Sequence, residues 1–193
     1  MRLFLAIDLD GAARRAAAAW SRDLSARLGV SAAREIKWVE AQNLHLTVHF
    51  FGELDDTRDE QVRTALNATP LATRAFDLAF AGAGKFPPSG PARVIWIGVR
   101  ADKQQPQAIY DEVESRLDPL GLREEMTRGF TPHLTLGRVR TPNATLGRVI
   151  REALDRTPVP IATFRIDHLT LYQSRLSPKG PTYVPVDTFA LGA

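Results

Sequence analysis

The sequence predicts an α+β fold of two similar lobes, and three observations predict it. Helix-period and strand-period segments alternate along all 193 residues with no linker or low-complexity stretch. Several strand-like runs alternate apolar and polar residues, as antiparallel strands with one covered face do, whereas buried parallel strands read as unbroken apolar runs. The order, roughly β-α-β-α-β-β and then α-β-α-β-β-β, repeats itself, so that each half of the chain supplies two helices and a group of strands.

The elements follow in order. Leu3-Phe4-Leu5-Ala6-Ile7, closed by Asp8 and Asp10, reads as a buried strand. Residues 11–29 carry Trp20, Leu24 and Leu28 at helical spacing, with Asp10 as the N-cap. A second helix starts at Thr57-Arg58-Asp59-Glu60, a capping-box pattern, and stops before Pro70. A third covers about 104–118, with Ile109, Val113 and Leu117 in register and Pro119 and Gly121 behind it. The fourth, about 143–156, carries Leu146, Val149, Ile150, Ala153 and Leu154 on one stripe. Strand-like runs rich in β-branched and aromatic residues occupy 44–51, 74–82, 93–99, 132–139, 159–166, 168–173 and 182–187.

Composition excludes several classes of protein. With 44% hydrophobic and 24% charged residues the chain is an ordinary globular sequence, so wholesale disorder is out. It contains no cysteine, which removes disulfides, thiol nucleophiles and Cys-ligated zinc or iron–sulfur sites. Twenty-five basic against 22 acidic residues leave a net charge of +3, compatible with an anionic partner but too small for a protein that coats nucleic acid. No segment reaches the roughly 18 continuous apolar residues of a membrane span, and the first apolar run is too short for a signal peptide. A cytoplasmic monomer is expected.

Three of the four histidines open the same phrase: His45-Leu46-Thr47-Val48, His133-Leu134-Thr135-Leu136 and His168-Leu169-Thr170-Leu171. On a strand, His and Thr at i and i+2 share a face, about 6.5–7 Å apart, while the Leu between them points into the opposite, packed face. Two such strands brought together present two imidazoles and two hydroxyls to one small cleft. A neutral imidazole can take a proton from an attacking water, a protonated one can give a proton to a leaving oxygen, and no metal is needed. The hydroxyls can donate to non-bridging phosphate oxygens. Three copies are one too many for an acid–base pair. The first two sit between residues suited to an anionic ligand, with Arg128 and Arg138 flanking the second, whereas the third follows Asp167 and is read as structural.

These residues resemble the 2H phosphoesterase superfamily, and within it the RNA 2′,3′-cyclic phosphodiesterases historically called 2′-5′ RNA ligases. The likeness runs from Arg2-Leu3-Phe4-Leu5-Ala6-Ile7 through Asn43-Leu44-His45-Leu46-Thr47, Phe51-Gly52 and Arg93–Val99 to Phe130-Thr131-Pro132-His133-Leu134-Thr135-Leu136, Arg138 and the Leu171-Tyr172-Gln173-Ser174 tail. The two His-x-Thr phrases stand 88 residues apart. The resemblance implies one bilobal domain over 1–193, its lobes related by a pseudo-twofold, each an antiparallel sheet with two helices on its outer face, and the His-Thr strands meeting across a central groove. It implies His45 as proton donor to the leaving 3′ oxygen, His133 as the acceptor that activates water, and Thr47 and Thr135 as phosphate holders. The reaction it implies opens a 2′,3′-cyclic phosphate, on an RNA end or a nucleoside, to a 2′-phosphomonoester with no cofactor and no metal.

Further contacts are expected from Arg138 and Arg128 to phosphate, from Phe130 to a base, from Tyr183 at the groove wall, and from His49, which at i+4 from His45 shares its face on a regular strand. Three other functions fit the same residues: 2′-5′ ligation by the reverse reaction, a non-catalytic module that binds RNA ends, and a metal hydrolase ligated by His45, His133 and His168. The last lacks an obvious carboxylate near the His-Thr phrases.

Overall fold

Ten strands and four helices are present among the described residues, which in this computed structural model are 1–123, 129–178 and 180–192. In chain order they are β1 (Arg2–Asp8), α1 (Gly11–Arg34), β2 (Ile36–Trp38), β3 (His45–Glu53), α2 (Asp56–Asn67), β4 (Leu71–Arg74), β5 (Phe76–Phe86) and β6 (Val94–Arg100). Then follow α3 (Gln105–Leu117), β7 (His133–Val139), α4 (Ala144–Asp155), β8 (Thr163–Ile166), β9 (His168–Ser177) and β10 (Gly180–Gly192).

The strands lie side by side in the order β4-β10-β9-β1-β3-β7-β6-β5-β8, with β2 added along β7. Every pairing is antiparallel except that of β4 with β10. At the middle, β3 and β7 are joined by one register pair, Leu46 with Leu134, and then diverge. Both leucines are buried, so the sheet is pinned from beneath while the opposite face opens between the two strands. This seam divides the molecule into two lobes. Helices α2 and α3 pack on the β3–β4 side, and α1 and α4 on the β2–β8 side. The α+β class and the two helices per lobe agree with the sequence reading.

The lobes are not consecutive halves of the chain. Helix α1 follows β1 in sequence but packs with α4, β8 and β2 across the seam, while the C-terminal β9 returns to lie beside β1, with β10 on its far side. An antiparallel neighbour can come from anywhere in the chain, so repetition in sequence order does not report which strands are adjacent.

Local chemistry accounts for the helices. Ala13, Ala17, Trp20, Leu24 and Leu28 form the buried stripe of α1, capped by Asp10, whose carboxylate accepts from the Ala13 N–H at 2.7 Å. The Trp20 indole N–H donates to the Pro158 carbonyl at 2.7 Å, tying α1 to the segment after α4. The helix runs to Arg34 only by breaking at Gly29, where φ is 76° and ψ 161°, a conformation open to glycine. Helix α2 is capped by Asp55, whose carboxylate accepts from the Arg58 N–H at 2.8 Å, two residues before the capping box expected at Thr57. Either pattern offers an oxygen to the first turn, and the charged acceptor holds it here. The run expected at 74–82 corresponds to β5, which starts at Phe76 and continues to Phe86; β4, which ends at Arg74, and the three-residue β2 are not among the expected strands, and β10 extends well beyond 182–187 because it spans the whole length of β9.

Candidate active site

The seam brings the first two His-x-Thr phrases together. Because Leu46 pairs with Leu134 in antiparallel register, His45 lies across from Thr135 and Thr47 across from His133, all on the face opposite the buried leucines. Each ring is oriented the same way. The Nδ1–H of His45 donates to the Asn43 carbonyl at 2.8 Å, and that of His133 to the Thr131 carbonyl at 2.7 Å. A carbonyl only accepts, so Nδ1 carries the hydrogen in both neutral rings and Nε2 is the basic nitrogen. The Thr47 hydroxyl reaches His45 Nε2 at 3.1 Å.

A cavity of about 550 Å³ opens over this face. His45, Thr47, Thr135, Arg138 and Tyr183 line it, joined by Arg2, Phe4, Lys37, Asn43 and Phe50. Its volume suits a small ligand. Lys37 and Arg138 are cross-strand partners in β2 and β7, so two like charges stand opposite each other, an unfavourable pairing that an anion relieves. His133 is not in the cavity lining; it stands at the head of β7, two residues before Thr135, packed against Phe86 and Trp96 at 5.1 and 6.4 Å between centroids. His45 is stacked on Phe4 at 4.7 Å and met edge-on by Tyr183 at 5.2 Å.

Burial lowers the pKa of both imidazoles below the ordinary histidine value. At His45 the Asn43 carbonyl and the charge of Asp8 work against that, while Arg14 and Arg138 add to it. At His133 the Thr131 carbonyl opposes burial and Arg138 reinforces it. Arg138 therefore acts on both rings, and it also opposes the burial that raises the Tyr183 phenol.

Other expected contacts fall elsewhere. His49 does not share the His45 face. The β1–β3 register slips between Leu5 and Ala6, which leaves Val48 as an extra residue on β3, and both Val48 and His49 are buried. The His49 ring instead donates from Nδ1 to Glu114 on α3 at 2.6 Å, with 2% of its surface exposed. Phe130 is outside the cavity lining and stacks on Tyr110 of α3 at 4.5 Å, with 5° between the rings. Arg128 lies outside the described residues. His168 is not in the cavity wall; its side chain is 45% exposed and donates to Asp167 at 2.5 Å.

Sequence reasoning missed Arg14, whose guanidinium donates to the carbonyls of Ala41, Gln42 and Leu44 and so holds the loop that presents Asn43 to His45. Nothing local marks it, since these three partners are backbone atoms some thirty residues away. Among the described residues no group of three or more His, Asp or Glu side chains is placed to hold a metal ion, and no helix is long and apolar enough to cross a membrane.

A two-lobed α+β sheet that sets paired His-x-Thr strands beside a cationic cavity has the parts of a site for an anionic ester. Residues 12–177 match the 2′-5′ RNA ligase superfamily, and the chain belongs to that family. It is 34% identical to the RNA 2′,3′-cyclic phosphodiesterase of Methanocaldococcus jannaschii over 184 residues, 95% of this chain and 96% of the relative. The protein of that name from Archaeoglobus fulgidus is 32% identical over 189 residues, 98% and 99% of the two chains. Among solved structures, one from Thermus thermophilus superposes with a TM-score of 0.79 at 24% identity, covering 99% and 98% of the two chains. E. coli LigT complexed with 3′-AMP superposes with a TM-score of 0.75 at 24% identity, covering 100% and 98%. These two share the fold.

Proposed function

We propose that this chain is a phosphodiesterase that opens 2′,3′-cyclic phosphates at RNA ends to 2′-phosphomonoesters, acting as one bilobal domain. Water attacks phosphorus as His133 Nε2 takes its proton. The P–O3′ bond breaks as protonated His45 delivers a proton from Nε2 to the departing 3′ oxygen. Thr47 and Thr135 donate to the non-bridging oxygens, and Arg138 offsets charge gathered there in the transition state. Full-length relatives that carry the RNA 2′,3′-cyclic phosphodiesterase name support the substrate class. The observation that carries the mechanism is the matched orientation of two imidazoles, each with Nδ1 tethered to the carbonyl two residues before it, which leaves Nε2 as the nitrogen for proton transfer. Two imidazoles suffice for both proton transfers, so metal independence belongs to the proposal.

The test is incubation of a nucleoside or oligonucleotide 2′,3′-cyclic phosphate with the protein in excess chelator, with the product isomer identified. Turnover to the 2′-phosphate is expected. No turnover with or without metal would leave only an RNA-end binding module, turnover abolished by chelation would make it a metal hydrolase, and a predominant 3′-phosphate would overturn the donor role of His45. Ligation through a 2′-5′ linkage is the same chemistry in reverse and draws on the same four side chains.

A further inference from the structure

The two histidine strands are alike in their tethering and unlike in what stands opposite them. On β1 the residue paired with His45 is Asp8; on β6 the residue paired with His133 is Gly98. Cross-strand partners share a face of the sheet, so a carboxylate flanks one imidazole and bare backbone flanks the other. Gly98 has no room for a side chain, since a Cβ there would come within 2.5 Å of the Ala81 carbonyl oxygen.

Asp8 is also held. The hydroxyl of Thr170 donates to one of its oxygens at 2.6 Å and the phenol of Tyr172 to the other at 2.7 Å. Both donors belong to β9, and Thr170 is the threonine of the third His-Leu-Thr phrase, which the proposed reaction otherwise leaves unused. Each oxygen of the Asp8 carboxylate thus has its own donor, which fixes the plane of the group beside His45. Burial and this bond keep the Tyr172 phenol far above its ordinary value, so it stays a donor at any working pH.

We propose that Asp8, fixed by Thr170 and Tyr172, is a positioning residue that sets a carboxylate beside His45 and not beside His133, and so marks His45 as the ring that acts as the acid. The inference rests on the phosphodiesterase reading above and adds the reason for its polarity. Asp8 touches no reacting atom; it acts on His45 through space from the neighbouring strand. The other ionisable groups facing His45 are Arg14 from α1, Arg138 from β7 and Tyr183 from β10. Both arginines disfavour the imidazolium, and of these groups Asp8 alone is a carboxylate.

Histidine NMR titration of the unmodified protein tests this without a variant and whether or not the protein turns over. His45 is expected to titrate above His133; the reverse order would overturn the proposal. Asp8→Asn should then lower the His45 midpoint by about one unit and leave His133 in place. In kcat/KM the alkaline limb, set by loss of the His45 proton, moves to lower pH by the same amount. The rate falls about tenfold at pH 8, on the alkaline limb, and by progressively less as the pH is lowered through that limb. Asp8→Glu, which keeps the charge, should restore much of that limb. An unmoved profile in Asp8→Asn would exclude a role for the carboxylate, and a shift of the acidic limb would mean that Asp8 serves the base. Failure of the wild-type protein to open any cyclic phosphate would defeat the catalytic reading instead, leaving the titration order as a separate result.

Discussion

Strands β7 and β9 begin with the same four residues, His-Leu-Thr-Leu, and put them to different uses. In β7 the leucines are buried while His133 and Thr135 stay partly open, and Thr135 lines the cavity. In β9 Leu169, Thr170 and Leu171 are all buried and His168 is turned out to solvent beside Asp167. The difference lies in the neighbours. Beside β7 the sheet parts after a single pairing with β3, so side chains on that face meet a cavity. Strand β9 is held on both sides, by β1 and by β10, and Thr170 meets Asp8. A short motif supplies alternation and donor types, and the sheet decides whether they meet a ligand or one another.

Substitutions can break that comparison. The largest effect is expected from His133→Ala and His45→Ala, each cutting turnover of a cyclic phosphate by about 10²–10⁴, the range for a lost general acid or base. Next is Thr135→Val, which removes one donor to the phosphoryl oxygens and should lower kcat by about 10² with little change in melting temperature. Thr170→Val, the matching change in β9, should fall well short of that loss, and equal losses would mean that the two strands serve one site. Arg138→Ala removes a positive charge that weakens proton binding at both rings. Both limbs of the pH profile should therefore move to higher pH, by less than about one unit, as the dependence of kcat/KM on pH would show. His49→Leu should act on stability alone, costing about 1–3 kcal/mol in denaturant unfolding through the buried Glu114 it leaves with one partner fewer, while the rate at 25 °C holds. Smallest of all, His168→Ala is expected to keep turnover within about twofold of wild type.

The unsubstituted enzyme offers a pH test as well. Since burial lowers both imidazoles, the bell in kcat/KM, which reports the free enzyme, should be centred below the ordinary imidazole pKa of about 6.5. A centre above 7 would argue against these two half-buried histidines as the titrating pair.

Much of this site could be read from the chain because it is local. The i, i+2 spacing of His45 with Thr47 and of His133 with Thr135 gives the shared face, and the intervening leucines give the anchor. What could not be read depends on partners distant in sequence. Nothing around His49 announces the extra residue at Val48 that turns it inward, because a bulge is set by the register against β1. Phe130 is aromatic and adjacent to the motif, yet its ring finds Tyr110 on α3. Phe4, Asp8 and Arg14 reach His45 from β1 and α1, and their relevance appears only once β1 is seen to pair with β3. The helices were legible wherever an apolar stripe is continuous. The assembly of the lobes was not, since an antiparallel pairing leaves no trace in sequence order.

The interlacing of the lobes has a practical consequence. A break in the backbone just before Gln105 would not release two independent mini-proteins. The leading fragment would hold β1 and β3 of one lobe with α1, β5 and β6 of the other, and the trailing fragment would hold the remaining partners of both. Neither piece could close its own sheet, and the two histidines would be separated between them, so the severed chain is suited to fragment complementation, in which enzymatic activity returns only when the pieces find each other.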